Sequence, residues 1–148
     1  MSIIRNATSE DLLPLSILFD SYRVFYEMDS NITEAATFLA ERMNNNESEI
    51  FVAADSLNNL VGFVQLYPIF SSTRMKRLWL LNDLYVEPVH RGQGISKKLI
   101  EQAKELCIES NSCGMILETA KKNLIGNQLY PATGFHLDND HNYYSWDC

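Results

Sequence analysis

Hydrophobic and polar positions change period several times along the chain, and each change marks an element. Ile3-Ile4 before Arg5 opens a short strand, and Thr8-Ser9-Glu10-Asp11 gives a capping-box start to a helix whose apolar positions include Leu12, Leu15, Ile17, Leu18 and Phe19. Asn31, with Glu34 three residues later, opens a second helix carrying Ala35, Phe38, Leu39 and Met43. The polar stretch 44–49 reads as a loop. Ile50 to Ala54 then reads as a strand, Asp55 to Asn59 as a turn, and Leu60 to Tyr67 as the hairpin partner, ended by Pro68. Leu78 to Val86 is a further apolar strand, stopped at Glu87-Pro88. After Gly94 the period lengthens: Ile95, Leu99, Ile100, Ala103, Leu106 and Cys107 recur at helical spacing, with Lys97, Lys98, Glu101, Gln102, Lys104 and Glu105 on the other side. Met115 to Glu118 predicts a short strand, Asn123 to Tyr130 a short helix, and Gly134 to Leu137 with Tyr143 to Trp146 a closing strand pair. The order β-α-α-β-β-β-α-β-α-β-β is that of an α/β protein with a mixed sheet and helices on its faces.

Length and composition narrow this further. The 148 residues make one domain, 1–148, without repeats or long linkers, and 46% hydrophobic against 21% charged residues predicts a packed core rather than a disordered chain. Twelve Lys and Arg against 19 Asp and Glu leave a net charge of −7, which disfavours nucleic acid as partner and suits a cationic or neutral one. Cys107, Cys113 and Cys148 form neither a CxxC pair nor a metal pattern, and His90, His136 and His141 are scattered, so surface or turn positions suit them better than a metal site. No export signal or membrane-spanning run is legible at the start or beyond, which leads us to expect a cytoplasmic protein that makes no membrane contact.

The chemically informative segment is Arg91-Gly92-Gln93-Gly94-Ile95-Ser96, between an apolar strand and an amphipathic helix. Two glycines let the backbone bend tightly and approach a ligand, and the following helix offers unpaired N–H groups and the positive end of its dipole. Such a turn suits phosphates, although a plain strand-to-helix turn with a solvated Arg has the same composition. No third Gly completes GxGxxG, and no GxxxxGK[ST] occurs.

Leu84-Tyr85-Val86-Glu87-Pro88 followed by Arg91-Gly92-Gln93-Gly94-Ile95-Ser96 resembles the Arg/Gln-x-x-Gly-x-Gly/Ala signature of the GNAT superfamily of acetyl-CoA-dependent N-acetyltransferases, with Ser96 in place of the usual Gly or Ala. Asn123 to Tyr130 and the following Gly134-Phe135 are similar to that family's Asn-x-x-Ala-x-x-x-Tyr and Gly-Phe, with Gly126 at the Ala position. The resemblance implies the GNAT fold, acetyl-CoA as co-substrate, no metal, and transfer of an acetyl group to a primary amine by direct attack in a ternary complex. It implies that the amides from Arg91 to Ser96 (Arg91, Gly92, Gln93, Gly94, Ile95, Ser96) hold the pyrophosphate, and that the backbone of the strand Leu84, Tyr85 and Val86 lies along the pantetheine arm. It also adds Asn123 and Tyr130 to the cofactor site, and a homodimer as an assembly whose geometry the sequence does not fix.

Amine acetylation needs a neutral amine, a stabilised oxyanion and a proton for the departing thiolate. Tyr130 is the proton donor that the resemblance implies. Asn123 and Tyr130 lie seven residues apart and so return to nearly one helix face at about 100° per residue. Asp83 is the candidate base, with Glu87, another carboxylate or water as alternatives, and a hydrogen-bonded strand acid explains Asp83 equally well. Leu81-Asn82-Asp83-Leu84-Tyr85-Val86 is similar to the diamine acetyltransferase branch, except that Asn82 stands where that branch tends to carry Glu. The resemblance implies an acceptor pocket built from the segment between the first two helices and the turn 67–72; there Tyr26, Glu27 and Asp29, with Asp83 and the aromatics of 67–72, are candidate binders of an amine cation, unless the rings pack under their loops. Trp79 is expected in the core or a subunit contact, and Cys107, on the helix's apolar face without a His base, disfavours a covalent acetyl-Cys route. A peptide or protein amine as acceptor, or a non-catalytic acyl-CoA-binding module, are the alternatives.

Overall fold

Strand pairing and helix burial divide the work of holding this chain together, and both are visible in a computed structural model that describes residues Met1–Cys148. The elements are β1 (Ile3–Asn6), α1 (Leu12–Phe25) entered through a 3-10 turn at Ser9–Asp11, α2 (Ile32–Asn44), β2 (Glu49–Ala54), β3 (Leu60–Ser71), β4 (Lys76–Val86), α3 (Ile95–Glu109), β5 (Met115–Ile116) and α4 (Leu124–Ala132). The sheet order is β1-β2-β3-β4-β5, antiparallel except for the parallel β4–β5 pair, so the mixed α/β sheet is present. The chain divides into two compact units, Met1–Glu118 and Thr119–Cys148.

In the first unit α1 and α2 cover one sheet face. Leu15, Leu18, Phe19, Ala35 and Leu39 pack with Ile50, Val52, Ala54, Phe63 and Tyr85. Because side chains alternate along a strand, Phe51 and Ala53 turn to the opposite face, and they are buried too. That face is closed by α3 through Ile95, Leu99, Ile100 and Ala103. Leu15, Leu39 and Phe63 are fully buried, where truncation to Ala costs about 2–5 kcal/mol. Trp79 is core as expected, and its Nε1 donates to Ser110 Oγ at 2.9 Å.

Two expectations are corrected. Pro68 does not end β3, which runs on to Ser71, so 67–71 are strand and the turn is confined to 72–75. The reason is register: β2 stops pairing at Leu66, and Trp79, opposite Pro68, turns its N–H to Gly114 O, so Pro68 faces a position where no bond is asked of it. The closing strand pair is absent. In the second unit, by itself, 136–148 carries no strand, and Leu137, Tyr143, Tyr144 and Trp146 are exposed. Asp138 forms a turn between them, accepting from the N–H groups of Asp140 and His141. An alternating pattern specifies a strand only where an edge pairs with it.

All four helices end alike, with the sixth residue's N–H bonded back to the first's carbonyl around a left-handed residue. Asn46, Asn111 and Gly134 hold that position after α2, α3 and α4; after α1 it is Glu27, at φ 65°. Glu lacks the local backbone bonding that makes Asn tolerable there.

Candidate active site

Strand β4 has two differently partnered halves. Trp79 and Leu80 lie between β3 and β5, whereas Leu81 to Val86 pair with β3 alone. Between the halves, Gln65 pairs with Asp83 and Leu66 with Leu81, leaving Asn82 as a one-residue bulge. The bulge reverses which residues point out of the pair. Before it, Trp79 donates to Gly114 O and Arg77 C=O accepts from Cys113 N, so odd residues face β5. After it, Glu87 N–H donates to Val61 O, so the odd residues turn to β3, and the N–H and C=O of Leu84 and the N–H of Val86 face the open side. The Val86 C=O accepts from Arg91 Nε at 2.9 Å.

That bond ties the open edge to the turn that follows. Gly92 and Gly94 have φ of 76° and 77°, a conformation other residues adopt only with strain, and a Cβ at either would meet nothing within 4 Å. The space beside the bend is therefore free, and the first amides of α3, which follow it, lack carbonyl partners one turn earlier. The Arg91 guanidinium lies 5.6 Å from the Tyr85 ring centre and 5.7 Å from that of Phe25. Tyr85 itself turns its backbone to β3 and buries its ring beneath Arg91.

On the α1 side of the bulge lies a buried polar cluster. Asp83, 3% exposed, accepts from Gln65 Nε2 at 2.6 Å and Asn82 Nδ2 at 3.0 Å, with the Tyr22 hydroxyl as a further hydrogen-bond partner. The single Tyr22 hydroxyl proton is shared with Asn82 O, 3.2 Å away. No cation reaches Asp83, and burial raises its pKa above the usual carboxylate range against the pull of these donors. Burial, with Asp83's charge adding to it, pushes Tyr67 up to about 12, so its phenol stays protonated. Gln65 is fully buried, and its Oε1 has no hydrogen-bond partner. Sequence reasoning missed Gln65, although it is the one polar side chain in the apolar run 60–66; Tyr22 and Tyr67 lie in the two segments expected around the acceptor, but their tie to Asp83 was not foreseen.

The fold has known counterparts. The Acetyltransferase (GNAT) family model matches residues 15–135. The chain belongs to the GNAT acetyltransferase family. It is 37% identical over 135 residues, 91% of its length and 90% of the relative's, to a Bacillus subtilis protein described as an uncharacterized N-acetyltransferase, YhfO. A probable acetyltransferase of Haemophilus influenzae is 33% identical, covering 87% of this chain and 84% of that one. Among solved structures, the crystal structure of a probable acetyltransferase superimposes with a TM-score of 0.94 at 36% identity, over 99% of this chain and 97% of the other. The protein is thus a GNAT-type transferase, of a family whose acetyl donor is acetyl-CoA.

Against this family background the remaining candidates fall into two groups. In the first unit, the Tyr26 ring meets Tyr22 edge-on at 4.9 Å and so adjoins the Asp83 cluster. Glu27 follows in its left-handed bend, and Asp29 is fixed by its carbonyl, which accepts from Arg23 at 3.0 Å. In the second unit, Asn123 caps α4, its Oδ1 accepting from Gly126 N–H at 3.1 Å and its Nδ2 donating to Thr119 Oγ1 at 2.9 Å. A Cβ at Gly126 would come within 2.5 Å of Asn123 Nδ2 and 3.3 Å of Tyr130 Cε2, so Asn123 and Tyr130 do flank one helix face. The Tyr130 ring packs edge-on against Phe135 at 5.8 Å. Cys107 is buried, which raises its thiol pKa. No helix is long and apolar enough to cross a membrane.

Proposed function

We propose that this GNAT transferase acetylates a primary amine of a small molecule, the free amine attacking directly, with residues 1–148 acting as one domain. The single-domain reading is supported by the family match, which runs through both compact units. The observation that carries the site assignment is the open edge of β4 leading into the Gly92–Gly94 bend.

The residues fit acetyl-CoA: free backbone groups at Leu84 and Val86 suit an extended amide-containing arm, and space beside two left-handed glycines suits a diphosphate. When bound, it supplies the acetyl group and a thiolate leaving group. The amides of residues 91–96 hold the diphosphate, Ser96 adding a hydroxyl. The β4 edge orients the arm, and its N–H groups polarise the thioester carbonyl without reorganising. Asp83 takes a proton from the incoming ammonium through water, its raised pKa making it a stronger base than a surface carboxylate. Tyr130 donates a proton to the leaving sulfur, and Asn123 braces the start of its helix. Tyr26, Glu27 and Asp29 with Asp83 bind the acceptor as a cation beside aromatic rings, the pattern a diamine-like substrate needs.

A thiol-release assay with acetyl-CoA against polyamines, aminoglycosides, amino acids and Lys peptides tests this. Release with a small amine, falling at least about 10-fold in Tyr130→Phe while acetyl-CoA still binds, is the expected result. Release with Lys peptides alone makes the acceptor a protein amine, and binding without release across the panel overturns the catalytic assignments.

A further inference from the structure

The Gln65 amide is oriented at a cost. It is fully buried, gives Nε2 to Asp83 Oδ2 at 2.6 Å, and leaves Oε1 without a partner. Buried carbonyls normally find a donor, and those that do not call for an explanation. The neighbouring carboxylate provides one: as long as Asp83 is ionised it can only accept, so the amide must turn its N–H toward it. Were Asp83 protonated, half a turn about the last side-chain torsion of Gln65 would bring Oε1 to receive the acid's O–H. That torsion has a broad, roughly two-fold profile. The orphaned atom would then be Nε2, so the amide carries one bare polar atom in either state and the acid loses no hydrogen bond.

We propose that Gln65 is a positioning residue for Asp83, an amide that follows the proton by presenting Nε2 to the carboxylate and Oε1 to the carboxylic acid. This rests on the reading of Asp83 as the base. In the step it serves, one N–H bond of the substrate ammonium breaks, an O–H bond forms on Asp83, and the proton later leaves to solvent; no electrons are exchanged. The strand register holds the two side chains together, since Gln65 and Asp83 are direct cross-strand partners beside the Asn82 bulge. The other groups facing Asp83 are neutral: Tyr22 from α1, the Asn82 amide on β4 itself, and Tyr67 from β3. Arg42 on α2 acts on Tyr67 and forms ion pairs with Glu41 and Glu47. The charge-assisted bond to Nε2 is stronger than the neutral bond to Oε1, so Gln65 favours the ionised form on balance.

Two measurements on the full chain test this. The first is the carboxyl 13C titration of Asp83 in the wild type, in Gln65→Met, which keeps the volume without the amide, and in Gln65→Glu, which keeps the shape. The midpoint is expected to rise by about one pH unit in Gln65→Met, and further in Gln65→Glu, where two acids share one proton. The second is the pH profile of kcat/KM, whose acidic limb should move up with the midpoint, lowering the rate on that limb roughly 10-fold. Midpoints unchanged in both variants, or in Gln65→Glu alone if Gln65→Met does not fold, overturn the proposal. If instead Asp83→Asn keeps the wild-type rate and profile, the base assignment fails, while the 13C titration still decides whether Gln65 governs the proton on Asp83.

Discussion

Asp11 and Asp83 are both buried aspartates, and they sit in opposite surroundings. Asp11, 6% exposed, receives both arms of the Arg5 guanidinium at 2.7 and 2.8 Å and the Thr8 N–H at 2.8 Å. The Arg5 hydrogen bonds chiefly hold its carboxyl down at about 2. Asp83, 3% exposed, is offered only neutral donors, and burial pushes its pKa up. The first acid fastens β1 to the start of α1. The second is a charge kept without a counterion beside an open strand edge, a poor arrangement for stability and a useful one for taking up a proton.

Asp83→Asn should separate the two roles most sharply. We expect kcat/KM to fall by roughly 10²-fold or more, while the melting temperature at neutral pH rises. The sign follows from linkage: a raised folded pKa contributes stability below the unfolded value, near 3.9, and loses it as pH rises through the folded one, so ionised Asp83 is a burden at pH 7. Asp11→Ala should do the reverse, costing about 1–2 kcal/mol in urea unfolding with kcat/KM unchanged; Arg5, with its side chain 30% exposed, recovers part of its hydration. In the wild type, the Asp11 contribution should be complete above about pH 4 and fade as pH drops toward 2, since a depressed folded pKa loses its stabilisation on acidification. Acid unfolding followed by circular dichroism in wild type and Asp11→Ala should therefore diverge above that window and converge below it. Smaller effects belong to the backbone. Gly94→Ala meets no atom but must hold φ near 77°, which should cost about 1 kcal/mol and raise KM for acetyl-CoA. Glu27→Gly should stabilise the end of α1 by about 0.5 kcal/mol or more, a gain readable in thermal melts.

The contrast also shows what the sequence could reveal. Helix caps at Thr8 and Asn31, the period of α3 and the Gly92–Gly94 bend were legible because local residue chemistry dictates them. Asp11 was legible only as a cap, since its partner Arg5 reaches it through a contact between elements. The Asn82 bulge was hidden, because a bulge is a property of two strands in register, and with it went the roles of Gln65 and Tyr22. Pro68 misled for the same reason: whether a missing N–H matters depends on what lies beside it. The strand pair predicted at 134–137 and 143–146 needs an edge that the sequence cannot specify.

The central claim is that the outward backbone of β4 past the bulge, together with the glycine bend, receives acetyl-CoA. Amide hydrogen exchange resolved by residue, with and without CoA, tests it most directly. The account predicts that Leu84 and Val86 exchange readily in the free protein and become protected with CoA, along with 92–96, while Asp83 and Tyr85, already bonded to β3, change little. Protection that leaves Leu84 and Val86 untouched, or that falls equally on all four strand residues, would contradict it.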